Sequence, residues 1–412
     1  MKNPLLIILC FFTGVGFYSH GATVNVGLGE SIQAAIDNAS AGDTVRLVAP
    51  GEYSGDVNVT KAIYLISVQR NYNNIGGVIT VKDISSGETV RFKNLSISTN
   101  LNVIGSSLDL VRCEINEINA TNPGGADCRL TVLQSNVSSK LSSTLPSTWV
   151  GYSDLRENYF EGKIELVGND IDGEEMSGIG VDLYGENTTA NIHNNLIHHF
   201  KGTSGNESCI GIRIDGNASA TIRNNNINDN WRSSRAYNRY YQTGIGVLVK
   251  SAQSVLIEAN IFWNNGVSYG WEAEAYEGEK GSLNIYAGSE GVSVTRNALG
   301  YRAEHVPSIR PLGVFGVTPF ECITSAPQND TEFLSSTTAL VLNGEGQDAG
   351  PPDPIHFDHD GSRNDIGPNG GRNYIPDGRT TNKPIPIVFT VEPQIVPING
   401  SVTIESTGVI VK

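Results

Sequence analysis

The sequence predicts an all-β chain in which short parallel strands wind into a solenoid. Two observations predict it: a repeated pattern of alternating apolar residues closed by asparagine, and a composition suited to many tight turns. Aligning "ANIHNNLIHHF" at Ala190, "ATIRNNNINDN" at Ala220, "VLIEANIFWNN" at Val255 and "VSVTRNALGYR" at Val292 puts Asn195, Asn225, Asn260 and Asn297 in one column. The steps are 30, 35 and 37 residues. Alternation with period two means strand, and a recurrent period of this size means stacked coils. With 46 glycines and 2 methionines among 412 residues, turns between short strands are favoured over long helices.

In chain order, the first segment reads as an address. Lys2 precedes the apolar run "LLIILCFFTGVGF", and Ser19, Gly21 and Ala22 are the small residues that precede a cleavage point, so residues 1–22 are expected to be a secretory signal. The run is short for a membrane span, and no span is expected in the mature chain. Next, Ile32, Ala35, Ile36 and Ala39 form an apolar stripe on a short helix, suited to covering the open end of a solenoid. "AIYLISV", "GVITV", "TVRFKNLSIS", "SLDLVRCEI" and "CRLTVLQSNV" then read as less regular coils.

From Gly180 each coil also carries an upstream piece: "GVDLYG", "GIRIDG" at Gly211, "GVLVKS" at Gly246 and "LNIYAG" at Leu283. A coil therefore reads as strand, turn, strand, asparagine, strand and a loop of variable length. Coils stack about 4.8 Å apart, which sets asparagine amides above one another, each donating to the next. Asparagine also tolerates the left-handed backbone of a sharp bend.

The segment "ESIQAAIDNASAGDTVRLVAPGEYSGDVNV", Glu30 to Val59, resembles the N-terminal cap and first coil of secreted right-handed parallel β-helix proteins of the pectate lyase-like superfamily. "FDHDGSRNDIGPNGG", Phe357 to Gly371, resembles the segment that follows the last coil in many such proteins. The resemblance implies a right-handed parallel β-helix over residues 23–383, exported to the cell exterior, surface or periplasm. Residues 384–412 alternate like two or three strands and form a C-terminal extension too short for a sandwich of its own.

The same resemblance implies that a substrate lies along one parallel sheet, walled by the loops that precede its strands. On this sequence that sheet comprises the four pieces from Gly180, Gly211, Gly246 and Leu283. Alternation turns Val181, Leu183, Ile212, Ile214, Val247, Val249, Leu283 and Ile285 inward. The outward columns are then Asp182, Arg213, Leu248 and Asn284, beside Tyr184, Asp215, Lys250 and Tyr286. Asp182, Arg213, Asp215 and Lys250 are the catalytic candidates. A guanidinium neutralises a sugar carboxylate or sulfate, while Lys250 or a tyrosine moves a proton. An exposed charge lattice without a ligand accounts for the same columns.

The loops "KGTSGNES", "WRSSRAYNRYYQT" and "GVSYGWEAEAYEGEKGS" supply rings and arginines for sugar faces and anionic groups. Trp231, Arg235, Tyr240 and Trp271 join Tyr184 and Tyr286 as substrate-binding candidates. Glu272, Glu274, Glu277 and Glu279 could pair with the arginines and leave a neutral glycan possible, in which case Asp182 and Asp215, about 8 Å apart, matter most as an inverting hydrolase pair.

Metal and redox signals are sparse. Asp358, Asp360, Ser362 and Asp365 offer oxygens at spacings a calcium loop could use, and ordinary turn chemistry explains the same residues. His193, His198 and His199 read as surface or turn residues. Four cysteines remain after export, Cys113, Cys128, Cys209 and Cys322, in no metal pattern and with pairing open.

The excess of 43 Asp and Glu over 28 Lys and Arg, a net charge of −15, repels nucleic acid and anionic membrane surfaces. The chain lacks the Asn-Thr-Asp, Asp-Asp, Gly-His-Gly and Arg-Ile-Lys signatures of polygalacturonases, and "DPIH" at Asp353 differs from the Asp-Pro-His-Asp motif of mannuronan epimerases. The expectation is a monomeric, secreted, polysaccharide-active lyase or hydrolase. A non-catalytic carbohydrate-binding or adhesion protein, or a purely structural solenoid, would present the same fold.

Overall fold

In the computed structural model each coil contributes one strand to each of three faces, forming a right-handed parallel β-helix. The structure describes residues 21–202, 209–233, 244–263, 265–268, 281–285, 291–299, 314–315, 320–322, 328–329, 340–341, 346–372, 374, 385–392 and 403–409, and statements of structure refer to these.

Face I is a parallel sheet of twelve strands, from Thr23–Val26 to Val292–Thr295. Face II follows the asparagine bend, and face III completes the coil. In early coils, II and III are halves of one bent strand, such as Glu114–Thr121, with a register shift at the bend. Beyond Asp170 they separate into strands such as Leu196–Gly202 on face II and Cys209–Asp215 on face III. The separation between stacked asparagines grows from 26 residues to 30, 35 and 37 along this stretch.

Strict pairing places equivalent side chains in files. One inward file on face I runs Leu65, Phe92, Leu110, Val132, Val150, Leu166, Ile192 and Ile222, each fully buried. Each such side chain stabilises by roughly 1.5–3 kcal/mol. One continuous core extends from Val26 to Leu299.

The helix Ile32–Asn38 closes the N-terminal end with Ile32, Ala35 and Ile36 buried. Ser31 Oγ accepts from the Ala34 N–H at 3.1 Å, capping its start. At the other end, the Lys61 ammonium donates to the carbonyls of Ile36, Asp37 and Ala39 at 3.1, 2.8 and 2.8 Å, where a cation also favours the helix dipole.

The asparagine column is a hydrogen-bonded ladder. Nδ2 of Asn169, Asn195, Asn225 and Asn260 donates to Oδ1 of the next rung at 3.0, 2.9, 2.9 and 3.0 Å. The ladder extends below the sequence alignment. Ser153 and Ser135 accept backbone N–H groups of the preceding coils at the same position, from Ser135 and Cys113.

The expected left-handed residue is not the rung itself. It is the residue before it: Arg112, Gln134, Tyr152, Asn194, Asn224, Ala259 and Arg296 all have φ between 48 and 58°. Asn194 and Asn224 suit this backbone, but the bend also imposes it on Arg112, Gln134, Tyr152, Ala259 and Arg296, which tolerate a strain of about 1 kcal/mol because the ladder fixes the neighbouring residue.

The segment resembling a closing element does not continue the solenoid axis. It lies along the outer edge of these bends. Asn194 Nδ2 donates to Pro368 O and Gly370 O at 2.7 and 2.8 Å, and Asn224 Nδ2 to Asp365 O at 2.7 Å. Asn224 and Asn364 exchange side-chain amide bonds at 2.9 and 3.1 Å, and Ile366 packs with Ala259, Ile261 and Ala298. Further on, Ile385–Glu392 and Thr403–Val409 form an antiparallel hairpin. Among the described residues Cys113, Cys128, Cys209 and Cys322 are free thiols, and burial pushes Cys113 up to about 11. No described helix is long and apolar enough to cross a membrane.

Candidate functional site

Face III is built from Gly178–Tyr184, Cys209–Asp215 and Ile245–Val249, paired in parallel as the alternation requires. Val181, Leu183, Ile212, Ile214, Val247 and Val249 are fully buried in the core. Asp182 lies opposite Arg213 and Arg213 opposite Leu248; Tyr184 lies opposite Asp215. Leu248 in turn pairs with Asn284.

Asp182 and Arg213 form a two-pronged ion pair. Arg213 Nε donates to Oδ1 at 2.8 Å and Nη2 to Oδ2 at 2.5 Å. This bond is the main reason the Arg213 pKa rises further. Asp182 is 8% exposed, so the pair is no loose surface charge lattice. Removing Arg213 would strand a buried carboxylate, which costs stability. Leu248 is also not an exposed member of its column: it is fully buried, clustered with Ile210 and Ile245.

Tyr184 is 49% exposed, while Asp215 accepts the N–H of Gly216 at 2.8 Å. Lys250 follows the end of its strand, half-buried, with its N–H bonded to Ile214 O at 2.9 Å. Asp182, Arg213, Tyr184 and Asp215 therefore share one outer wall, and Lys250 stands just past the strand that continues it. One coil earlier Tyr159 faces Asp182, and its hydroxyl donates to Glu161. Burial, reinforced by that carboxylate, raises the Tyr159 pKa and keeps it protonated. Sequence reasoning missed Tyr159 and Glu161, although the alternation in "ENYFEG" carried them onto the same wall.

Tyr286, Arg235, Tyr240 and Trp271 lie outside the described residues, as do Glu272, Glu274, Glu277 and Glu279. Trp231 begins the strand Trp231–Ser233, whose backbone pairs with Lys201 below and Gly266 above. The roots of the three expected wall loops are thus stacked in register.

A second polar surface runs along the outside of face I. A cavity of about 390 Å³ is lined by Trp149, Arg129, Lys163, Glu165, Asn191 and Thr221, among others. The sequence held no signal for it beyond the same alternation.

The calcium candidates are engaged in turns. Asp358 accepts N–H groups of Gly371 and Asp365, Asp360 accepts the N–H and the hydroxyl of Ser362, and Asp365 the N–H of Asp348. Burial raises Asp358 to about 6. A calcium site needs several ionised oxygens converging on one point. Among the described residues, the side chains that do converge are Asp172, His198 and His199, not these three.

The histidine reading also needs correction. His193 and His198 are 8% and 2% exposed, each bonded through Nε2 to a carboxylate of the preceding coil, Glu165 and Asp170. They are buried polar groups, and burial demands such partners.

No family model and no curated protein sequence matches the chain. Similar solved structures include pectate lyase Pel9A, at 13% identity and a TM-score of 0.45 over 85% of this chain and 96% of that one. The PL6 family alginate lyase AlyGC gives 14% and 0.28 over 76% of this chain and 54% of that one. A mannuronic acid specific polysaccharide family 6 lyase from human gut microbiota gives 12% and 0.31 over 73% and 82%. These likenesses concern the fold, which the strand pairing establishes independently.

Proposed function

We propose that the protein is a polysaccharide lyase acting on an acidic glycan laid along face III. The observation that carries this reading is the two-pronged bond between Asp182 and Arg213. It withdraws Asp182 from acid–base work, because both carboxylate oxygens are already engaged by guanidinium N–H groups. The inverting pair Asp182 and Asp215 that a hydrolase would use is therefore broken. The same bond fixes the plane of a permanent cation on the outer wall, where a uronate carboxylate would meet it.

Elimination then needs one more group. In a uronate chain the proton on C5 is acidified when the neighbouring carboxylate is neutralised. Lys250 serves as the base for that proton, C4 and C5 become doubly bonded, and the C4–O bond breaks. The departing oxygen takes the proton back from Lys250. Tyr184 offers a ring as a sugar platform.

The test is to incubate the protein with pectate, alginate and other uronate polymers, measuring reducing ends together with the ultraviolet absorbance of unsaturated uronate. Both should rise together, and Lys250→Ala should lower turnover by about 10²–10⁴-fold without loss of fold. Reducing ends without unsaturation would establish a hydrolase, and undiminished turnover in the variant would remove Lys250 from the chemistry. The cavity on face I favours a second reading, binding without turnover; there, a Trp149→Ala change would abolish glycan binding while Lys250→Ala would not.

A further inference from the structure

We propose that Asp172, His198 and His199, on face II, bind one divalent transition-metal ion of the kind that imidazole ligands favour, such as Zn²⁺. His198 Nδ1 lies 2.8 Å from His199 Nδ1, and Asp172 Oδ1 lies 3.3 Å from His199 Nδ1 and 3.9 Å from His198 Nδ1. The point equidistant from the corners of that triangle is about 2.0 Å from each, the length of a zinc–nitrogen or zinc–oxygen bond. Two imidazole nitrogens and one carboxylate leave a further coordination position open, and this donor set suits zinc or copper over calcium or magnesium.

The backbone is arranged for this convergence. Consecutive side chains of a strand point to opposite faces, so adjacent histidines do not normally meet. His199 has a φ of 58°, which breaks the alternation and lets the two rings meet, centroids 4.3 Å apart.

The partner of His198 fixes its tautomer. His198 Nε2 lies 2.7 Å from Asp170 Oδ1, and a carboxylate there claims the Nε2 proton, leaving the Nδ1 lone pair directed at the cluster. This is the carboxylate–histidine–metal arrangement that orients ligands in metalloproteins. One proton, shared from His199 Nδ1, is all that the three corner atoms can accommodate without a clash. A cation satisfies all three.

Asp172 belongs to the coil before that of the histidines, so the ion would staple two coils of face II. Nothing in the proposed lyase chemistry uses these residues.

The experiment uses the untagged full chain, stripped with chelator and titrated with Zn²⁺ by calorimetry, with unfolding temperature followed in parallel. One ion should bind per chain and raise the unfolding temperature, and Ca²⁺ in excess should not displace it. Asp170→Asn should keep the stoichiometry and weaken affinity by about 10–100-fold. His199→Ala, at the more exposed ring, should abolish the binding, whereas His193→Gln should leave it intact. Failure of the stripped wild-type chain to bind Zn²⁺, or binding unchanged in both His199→Ala and Asp172→Asn, would overturn the assignment.

Discussion

The bond between Asp182 and Arg213 has a consequence for stability that separates it from most ion pairs at a protein surface. An exposed pair contributes little; here one partner is buried and both prongs are made. Arg213→Met should lower stability by about 2 kcal/mol, chiefly through the abandoned carboxylate. The double change with Asp182→Leu should recover most of that loss in a denaturant titration while remaining inactive. Equal losses in the single and double variants would mean that the arginine stem, not its charge, matters. Alternation alone placed these two residues side by side, but their mutual engagement depends on side-chain reach and burial, which a sequence pattern does not encode. The same limit applies to Leu248, whose outward direction was legible and whose burial was not.

The ladder is the element that fixes coil register. Asn225 Nδ2 reaches Ile192 O, Arg223 O and Asn260 Oδ1 at 2.7, 3.0 and 2.9 Å, while its Oδ1 accepts from Asn195. Asn225→Ala should cost about 3 kcal/mol, because several buried polar groups lose a partner together. Asn225→Ser should cost less, since Ser135 and Ser153 fill equivalent places in earlier coils. Thermal unfolding of the two variants checks the order. Repeated asparagines made the upper ladder visible in the sequence, whereas Asn169 was missed because its coil is less regular and the rungs below it because serine and cysteine vary the residue while keeping the position. His198 and His199 escaped for a different reason: their meeting depends on one left-handed residue, and a strand pattern predicts the opposite.

At the scale of the molecule, the repeat, the capping helix and the inward files were all readable, because each repeats a simple rule of period two along the chain. The path of residues 346–372 was not, since the amide bonds from Asn194 and Asn224 join segments 140–176 residues apart. A stack held only by neighbour contacts frays from its ends. This clasp ties its middle coils to a late part of the chain. Asn364→Ala, which removes the reciprocal amide bonds with Asn224, should make the coils around residues 190–260 exchange amide hydrogens sooner while the coils nearest the N-terminal cap remain protected. Uniform acceleration along the whole stack would refute this division.

The clasp also sets an order of events during synthesis. Coils could close one upon another from the capped end as they emerge, but the strap along their bends arrives more than a hundred residues later. A nascent chain therefore spends the interval with the amides of Asn194 and Asn224 facing water, held by propagation alone. Its native fastening comes only when the last third of the polypeptide has been made.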